Sequence, residues 1–197
     1  MRIPTNHAIE EETIPGYIAG RYYPIRVGEI LKEQYQIVGK LGFGASSTVW
    51  LARDMEYEDI VGTFPLSTHG SSTYLKYSYR RYVTVKVFIK STSMGQQLDD
   101  ELEVYKRIEE APRRHPGRKY VRSLLDSFDI NGPEDKHQCL VHPPLWESVL
   151  DFLFRNPVQR LPAPILAVTL HRLFLALDYL HTKCKIIHTG TALAYLF

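Results

Sequence analysis

An α+β domain is predicted: an antiparallel sheet of five strands with one packed helix, running on into a helical region. Three observations carry this. Runs of β-branched and aromatic residues recur between turn signals, a single segment of helical period interrupts them after the third run, and a long apolar-striped helix follows Pro143-Pro144.

Residues 1–20 mix acids with Pro4, Pro15 and Gly16 and show no periodicity, which predicts a flexible arm, either loose or pinned along a surface. Tyr35-Gln36-Ile37-Val38 and Ser47-Thr48-Val49-Trp50-Leu51 read as two strands flanking Gly42 and Gly44. The stretch 55–80, rich in Ser, Thr and Tyr with Gly62, Pro65 and Gly70, is longer than an ordinary connection and reads as an exposed inserted loop. Arg81 to Ile89 returns to β-branched residues as a third strand, and Leu98, Leu102, Tyr105 and Ile108 set a helix over about 95–110. Ala111-Pro112 and His115-Pro116-Gly117 break it. Tyr120 to Ile130 and His137 to Val141 are then strands joined through Asn131-Gly132-Pro133, Trp146 to Phe154 a short helix, and Pro164 to His181 a long one. Apolar residues at 166, 170, 173, 174, 177 and 180 make that last stripe broader than a surface helix needs.

With 24 Lys and Arg against 22 Asp and Glu, no global field argues for nucleic acid or an anionic membrane as a direct partner. The cluster Arg113, Arg114, Arg118 and Lys119 reads as a solvated loop. Cys139 and Cys184 are too few for a disulfide framework and suit a reducing compartment. No run is read as approaching the roughly 18 to 20 apolar residues of a membrane span, so a soluble intracellular protein is expected.

The pair Gly42 and Gly44 fits a plain hairpin, since glycines most often serve turns. A dinucleotide fold would need those glycines to open a helix, whereas Thr48, Val49 and Trp50 continue as strand. Between two strands, the glycines instead let the backbone approach phosphate oxygens and offer them N–H groups, with Val49 beneath a base and the small hydroxyl residue Ser47 where a third glycine would stand. Lys86 alternates with Val85 and Val87 along its strand. On a helical projection Glu101 falls between Tyr105 and Ile108, inside the apolar stripe, where an unpaired carboxylate is costly; a lysine on the strand beneath is its natural cation.

Taken in order, these pieces resemble the first part of a serine/threonine protein kinase. The details are similar to the SR-protein kinases, particularly the divergent fungal type. The likeness rests on Tyr22-Tyr23-Pro24-Ile25-Arg26-Val27-Gly28-Glu29, Lys40-Leu41-Gly42-Phe43-Gly44 through Asp54, His115-Pro116-Gly117, Leu124-Leu125-Asp126-Ser127-Phe128, His137 to Val141, and Leu175 to His181. It implies a protein-kinase-like fold with an amino lobe over 21–142, a hinge and the start of an incomplete helical carboxyl lobe over 143–189, and a tail over 190–197 without counterpart. It further implies ATP bound by Leu41, Gly42, Phe43, Gly44, Ser47, Val49, Lys86 and Glu101, with the Pro143 carbonyl and the Leu145 N–H on the adenine edge. The complete family member uses magnesium, phosphorylates serines of arginine-serine-rich proteins, and works in the cytoplasm or nucleus.

Departures are also present. Thr84 replaces the usual alanine, and His142 and Pro143 occupy the gatekeeper and hinge positions. His188 matches the start of the catalytic loop, but Gly190 stands where the catalytic aspartate is expected, and no Asp-Phe-Gly occurs in the 197 residues. No catalytic residue or metal ligand is therefore retained in this reading. The alternatives it leaves are a catalytically inactive pseudokinase or interaction module, and a truncated gene model whose last residues read like translated non-coding sequence or a shifted frame after a splice junction.

Overall fold

The computed structural model describes residues 10–56, 62–66, 73–77, 81–94, 97–145 and 148–187. They form two compact units, Met1–Ser93 with Asp126–Val141, and Met94–Leu125 with His142–Phe197.

The first unit holds an antiparallel sheet of β1 (Ile30–Leu31), β2 (Tyr35–Gly44), β3 (Ser47–Asp54), β6 (Arg81–Phe88), β7 (Asp126–Asn131) and β8 (Lys136–His142), in the order β1-β2-β3-β6-β8-β7. Six strands therefore stand where five were expected. The extra one, β1, is two residues long and shows no period. It enters β2 through Lys32 and Glu33, both with positive φ (52° and 59°), without the glycine or asparagine that would mark such a turn. A second sheet pairs β4 (Gly62–Leu66) with β5 (Thr73–Tyr77), so the stretch read as an inserted loop contains a hairpin. The fourth large strand begins at Asp126 and not at Tyr120, because His115 caps a 3-10 turn over Pro116–Tyr120 by accepting the Gly117 N–H at 3.1 Å.

Alternation along β3 decides which face is core. Thr48, Trp50, Ala52 and Asp54 are buried while Val49, Leu51 and Arg53 are half-buried. Trp50 and Ala52 lie opposite Val85 and Val83, and with Ile37, Cys139 and Val141 they make the core of this unit. Tyr35 on β2 stacks on Phe128 of β7 at 5.6 Å and donates to Asp126 Oδ2 at 2.8 Å, beside Lys32 at 2.6 Å. Three strands separate β2 from β7 in the sheet order, so these contacts require a strongly curled sheet.

A single-turn α1 (Ser91–Met94) precedes the second unit, which contains α2 (Gln97–Glu110), α3 (Val149–Arg155) and α4 (Ala163–Thr182). Ser148 caps α3, accepting the Asp151 N–H at 3.0 Å. Ile108, Ala111, Tyr179, Leu180 and Cys184 form the core here, and Tyr179 Oη donates to the Ile108 carbonyl at 3.0 Å, tying the end of α4 to α2. Toward its start α4 is poorly covered: Leu166, Leu170 and Phe174 are 42%, 39% and 62% exposed. α4 has 20 residues and an 18-residue stretch of mean hydropathy 1.4, so by length and composition it is long and apolar enough to cross a membrane, which corrects the expectation that no run approaches that length.

His115-Pro116-Gly117 is where the second unit is tightest. A Cβ at Gly117 would lie 1.8 Å from the Leu175 carbonyl oxygen and 2.8 Å from Tyr179 Cβ, so only glycine lets the 3-10 turn touch α4. The adjacent His115 Nε2 is 3.1 Å from Asp178 Oδ2. Gly117→Ala is expected to cost at least the roughly 1–3 kcal/mol of an overpacked core, read as a lower midpoint of chemical denaturation. A midpoint equal to that of the parent would show that the turn shifts freely.

Candidate functional site

Cross-strand register assembles three of the predicted residues. Gly42 lies directly opposite Val49, and Val49 directly opposite Lys86, so the three form one row across β2, β3 and β6 on the face away from the core of the first unit. Two register shifts in β2, between Ile37 and Gly39 and between Lys40 and Gly42, create this alignment. Each inserts one residue, Val38 and then Leu41, and each resets which face the strand presents. Leu41 is 54% exposed at its bulge. Beyond it Phe43 is exposed and pairs with Thr48, and Gly44 pairs with Ser47 to close the loop.

Lys86 is half-buried, with its ammonium 4.4 Å from the centre of the Phe88 ring. Ser47 is buried at the strand end, opposite both Gly44 and Phe88. Two residues before Lys86 and on the same face, Thr84 is buried and its Oγ1 has no hydrogen-bond partner. Thr84→Val keeps the shape and removes that orphan hydroxyl. It is expected to leave stability unchanged or raise it by about 1 kcal/mol in urea denaturation; a clear loss would mean the hydroxyl is satisfied in solution.

The remaining predicted residues belong to the second unit. Glu101 is half-buried on α2, and Pro143 and Leu145 follow β8, half-buried and 50% exposed. The Pro143 carbonyl accepts a long bond from Arg122 Nη2 at 3.4 Å, leaving a lone pair for another donor. His142 is fully buried, its ring 5.0 Å from Tyr105 and its Nδ1 2.9 Å from the Ser123 carbonyl. A carbonyl only accepts, so Nδ1 carries the proton. His188 and Gly190 lie outside the described residues.

Burial holds the Arg122 guanidinium below its ordinary value. Burial also pushes the Tyr105 phenol up to about 12, with the Glu101 charge adding to the rise and Arg122 opposing it. A phenol raised in the fold contributes stability that is whole below its unfolded value near 10 and is lost as pH climbs through the folded one. Stability should therefore fall between about pH 10 and 12, and Tyr105→Phe should blunt that fall in alkaline titrations of the unfolding midpoint. An unaltered alkaline limb would place the sensitivity elsewhere, with Tyr35, also raised by burial and by Asp126, the first alternative.

Two members of the basic cluster, Arg113 and Arg118, share one carboxylate. Arg118 reaches Glu109 at 2.5 Å and Ser123 Oγ at 3.2 Å, and Arg113 reaches Glu109 at 3.2 Å. These side chains line an open recess of about 560 Å³ to which none of the predicted site residues contributes. Among the described residues, no three His, Cys, Asp or Glu side chains converge where they could hold a metal.

Two partners of the glycine loop were not singled out from the sequence. Tyr22 Oη donates to the Gly44 and Ala45 carbonyls, and Lys40 pairs with Glu10 and Glu11. Both positions sit in segments that carry the family likeness, but neither residue type advertises a role.

A serine/threonine protein kinase of Aspergillus fumigatus is 35% identical over 94% of this chain, which spans 40% of that protein. The serine/threonine-protein kinase SRPK of Physarum polycephalum is 36% identical over 91% of the chain and 37% of its own length. SRSF protein kinase 3 of Homo sapiens is 31% identical over 91% and 28%. The relatives are serine/threonine protein kinases, SR-protein kinases among them. A crystal structure of a kinase domain aligns with a TM-score of 0.61 at 17% identity, over 82% of this chain and 39% of that one, so the fold is that of a kinase domain. No profile of a known protein family matches. The chain spans about 40% or less of the length of these curated relatives.

Proposed function

We propose that this chain is the ATP-holding part of an SR-protein-kinase-like serine/threonine kinase. The observation that carries the reading is the row Gly42, Val49 and Lys86, which sets a loop free of Cβ obstruction, a branched apolar side chain and a cation side by side on one sheet face. In this reading the loop from Leu41 through Phe43 and Gly44 to Ser47 covers the phosphates, Val49 lies against the base, and Lys86 neutralises the α and β phosphates. Glu101 on α2 is proposed as the carboxylate that orients Lys86. The Pro143 carbonyl and the Leu145 N–H are proposed to meet the adenine edge, as the hinge between an amino lobe over 21–142 and the segment that follows. The complete protein would transfer the γ-phosphoryl group of ATP to serines of arginine-serine-rich proteins, in keeping with its SR-protein-kinase relatives.

A second reading, a nucleotide-binding or interaction module without phosphotransfer, is favoured by one feature of the sequence. Gly190 stands where the family has its proton-accepting aspartate. Calorimetry with ATP, with and without magnesium, separates the possibilities. Binding that depends little on magnesium and weakens at least about tenfold in Lys86→Ala, the loss of a charge-assisted contact of roughly 1.5–3 kcal/mol, is expected. Strong binding that requires magnesium would reveal metal ligands outside this account, and binding indifferent to Lys86→Ala would remove the lysine from the site.

A further inference from the structure

The segment before the sheet is fastened to the tip of the glycine loop. A single phenolic hydrogen on Tyr22 is shared between the Gly44 and Ala45 carbonyl oxygens, each at 3.2 Å. The next carbonyl, that of Ser46, accepts the Ile89 N–H at 3.0 Å, so three consecutive tip carbonyls are engaged. The arm is itself anchored. The Lys90 N–H donates to the Arg21 carbonyl at 2.8 Å, the Tyr17 ring lies 5.2 Å from that of Tyr22, and Glu10 and Glu11 both pair with Lys40 on the strand leading into the loop. The Lys40 side chain is 18% exposed and its ammonium sits 5.6 Å from the centres of the Phe43 and Trp50 rings, so this contact is partly shielded from solvent.

Peptide geometry gives these contacts a direction. In a trans peptide the C=O and N–H point opposite ways, and none of the described peptides is cis. The Gly44 carbonyl shares its peptide with the Ala45 N–H, and the Ala45 carbonyl shares its peptide with the Ser46 N–H. Fixing both carbonyls toward Tyr22 therefore turns both amide donors away from the arm. A loop of this kind has many conformations to lose when an anion arrives, and one whose donors are already aligned loses fewer.

We propose that Tyr22 is a positioning residue for the glycine loop: it holds the tip from its carbonyl side, with the Glu10–Glu11–Lys40 contact securing the arm, and so presents the Ala45 and Ser46 amides to the phosphates of a nucleotide. The proposal rests on the ATP reading above for its ligand and on the hydrogen bonds alone for the clamp. Residues read from the sequence as a flexible arm thus serve the loop.

The test uses the full chain, with Tyr22→Phe and the double variant Glu10→Gln, Glu11→Gln beside the parent. Hydrogen exchange without nucleotide, followed in peptides spanning 41–47, should be about two- to tenfold faster in Tyr22→Phe, the range of one lost hydrogen bond, and faster in the double variant also. Affinity for ATP should fall by a similar factor in Tyr22→Phe while that for adenosine, which has no phosphate, stays within about twofold. Unchanged exchange in both variants overturns the clamp. Faster exchange with equal losses for ATP and adenosine, or with no loss for ATP, overturns the positioning role. A parent that binds neither ligand but shows faster exchange on mutation supports the clamp and overturns the nucleotide reading on which its ligand depends.

Discussion

The strand register around Leu41 is the constraint on which the site depends. A strand shows alternate faces to its neighbour, so without the residue inserted at Leu41 the partner of Val49 would be Leu41 itself. A branched side chain would then cover the row that leads to Lys86. With Leu41 bulged out and exposed, Gly42 takes its place, and no side chain from β2 stands in the row with Val49 and Lys86. The insertion at Val38 does the same for Gly39 opposite Leu51. The two glycines matter here less for their backbone freedom than for the side chains they do not have.

How far this was legible follows from which signals are local. The large strands, the single helix after the third of them and the final helix were readable because each carries a period over many residues. β1 was not, since two residues have no period and its turn uses Lys32 and Glu33 in a conformation those residue types do not announce. The false start of the fourth large strand at Tyr120 has the opposite cause. Tyr120 and Val121 have strand-like side chains, yet His115 and the close approach of Gly117 to α4 fix a 3-10 turn there, and a tertiary contact outweighs propensity. At the site, Gly42, Val49 and Lys86 could be named from sequence, but their alignment in one row could not, because it depends on two bulges that no pattern marks.

The charged groups divide in the same way. The basic residues near Gly117 read in sequence as a solvated loop, and in the fold two of them, Arg113 and Arg118, are paired with Glu109, Arg118 also reaching Ser123. Lys40 looked ordinary and is held by two carboxylates against two aromatic rings. Counting charges along a chain finds solvated faces; whether a cation is committed depends on acids that lie far away in sequence.

The two departures from the kinase pattern at buried positions are chemically unequal. His142 places a ring against Tyr105 and donates from Nδ1 to the Ser123 carbonyl, so the fold accommodates its polarity. Thr84 is buried with an unmatched hydroxyl on the same face as Lys86. An alanine there would leave nothing unsatisfied, and burying a lone hydroxyl is unfavourable. The cost therefore falls on the sheet face that also carries Lys86. Of the two, Thr84 leaves a buried polar group unmatched, while the polarity of His142 is matched within the second unit.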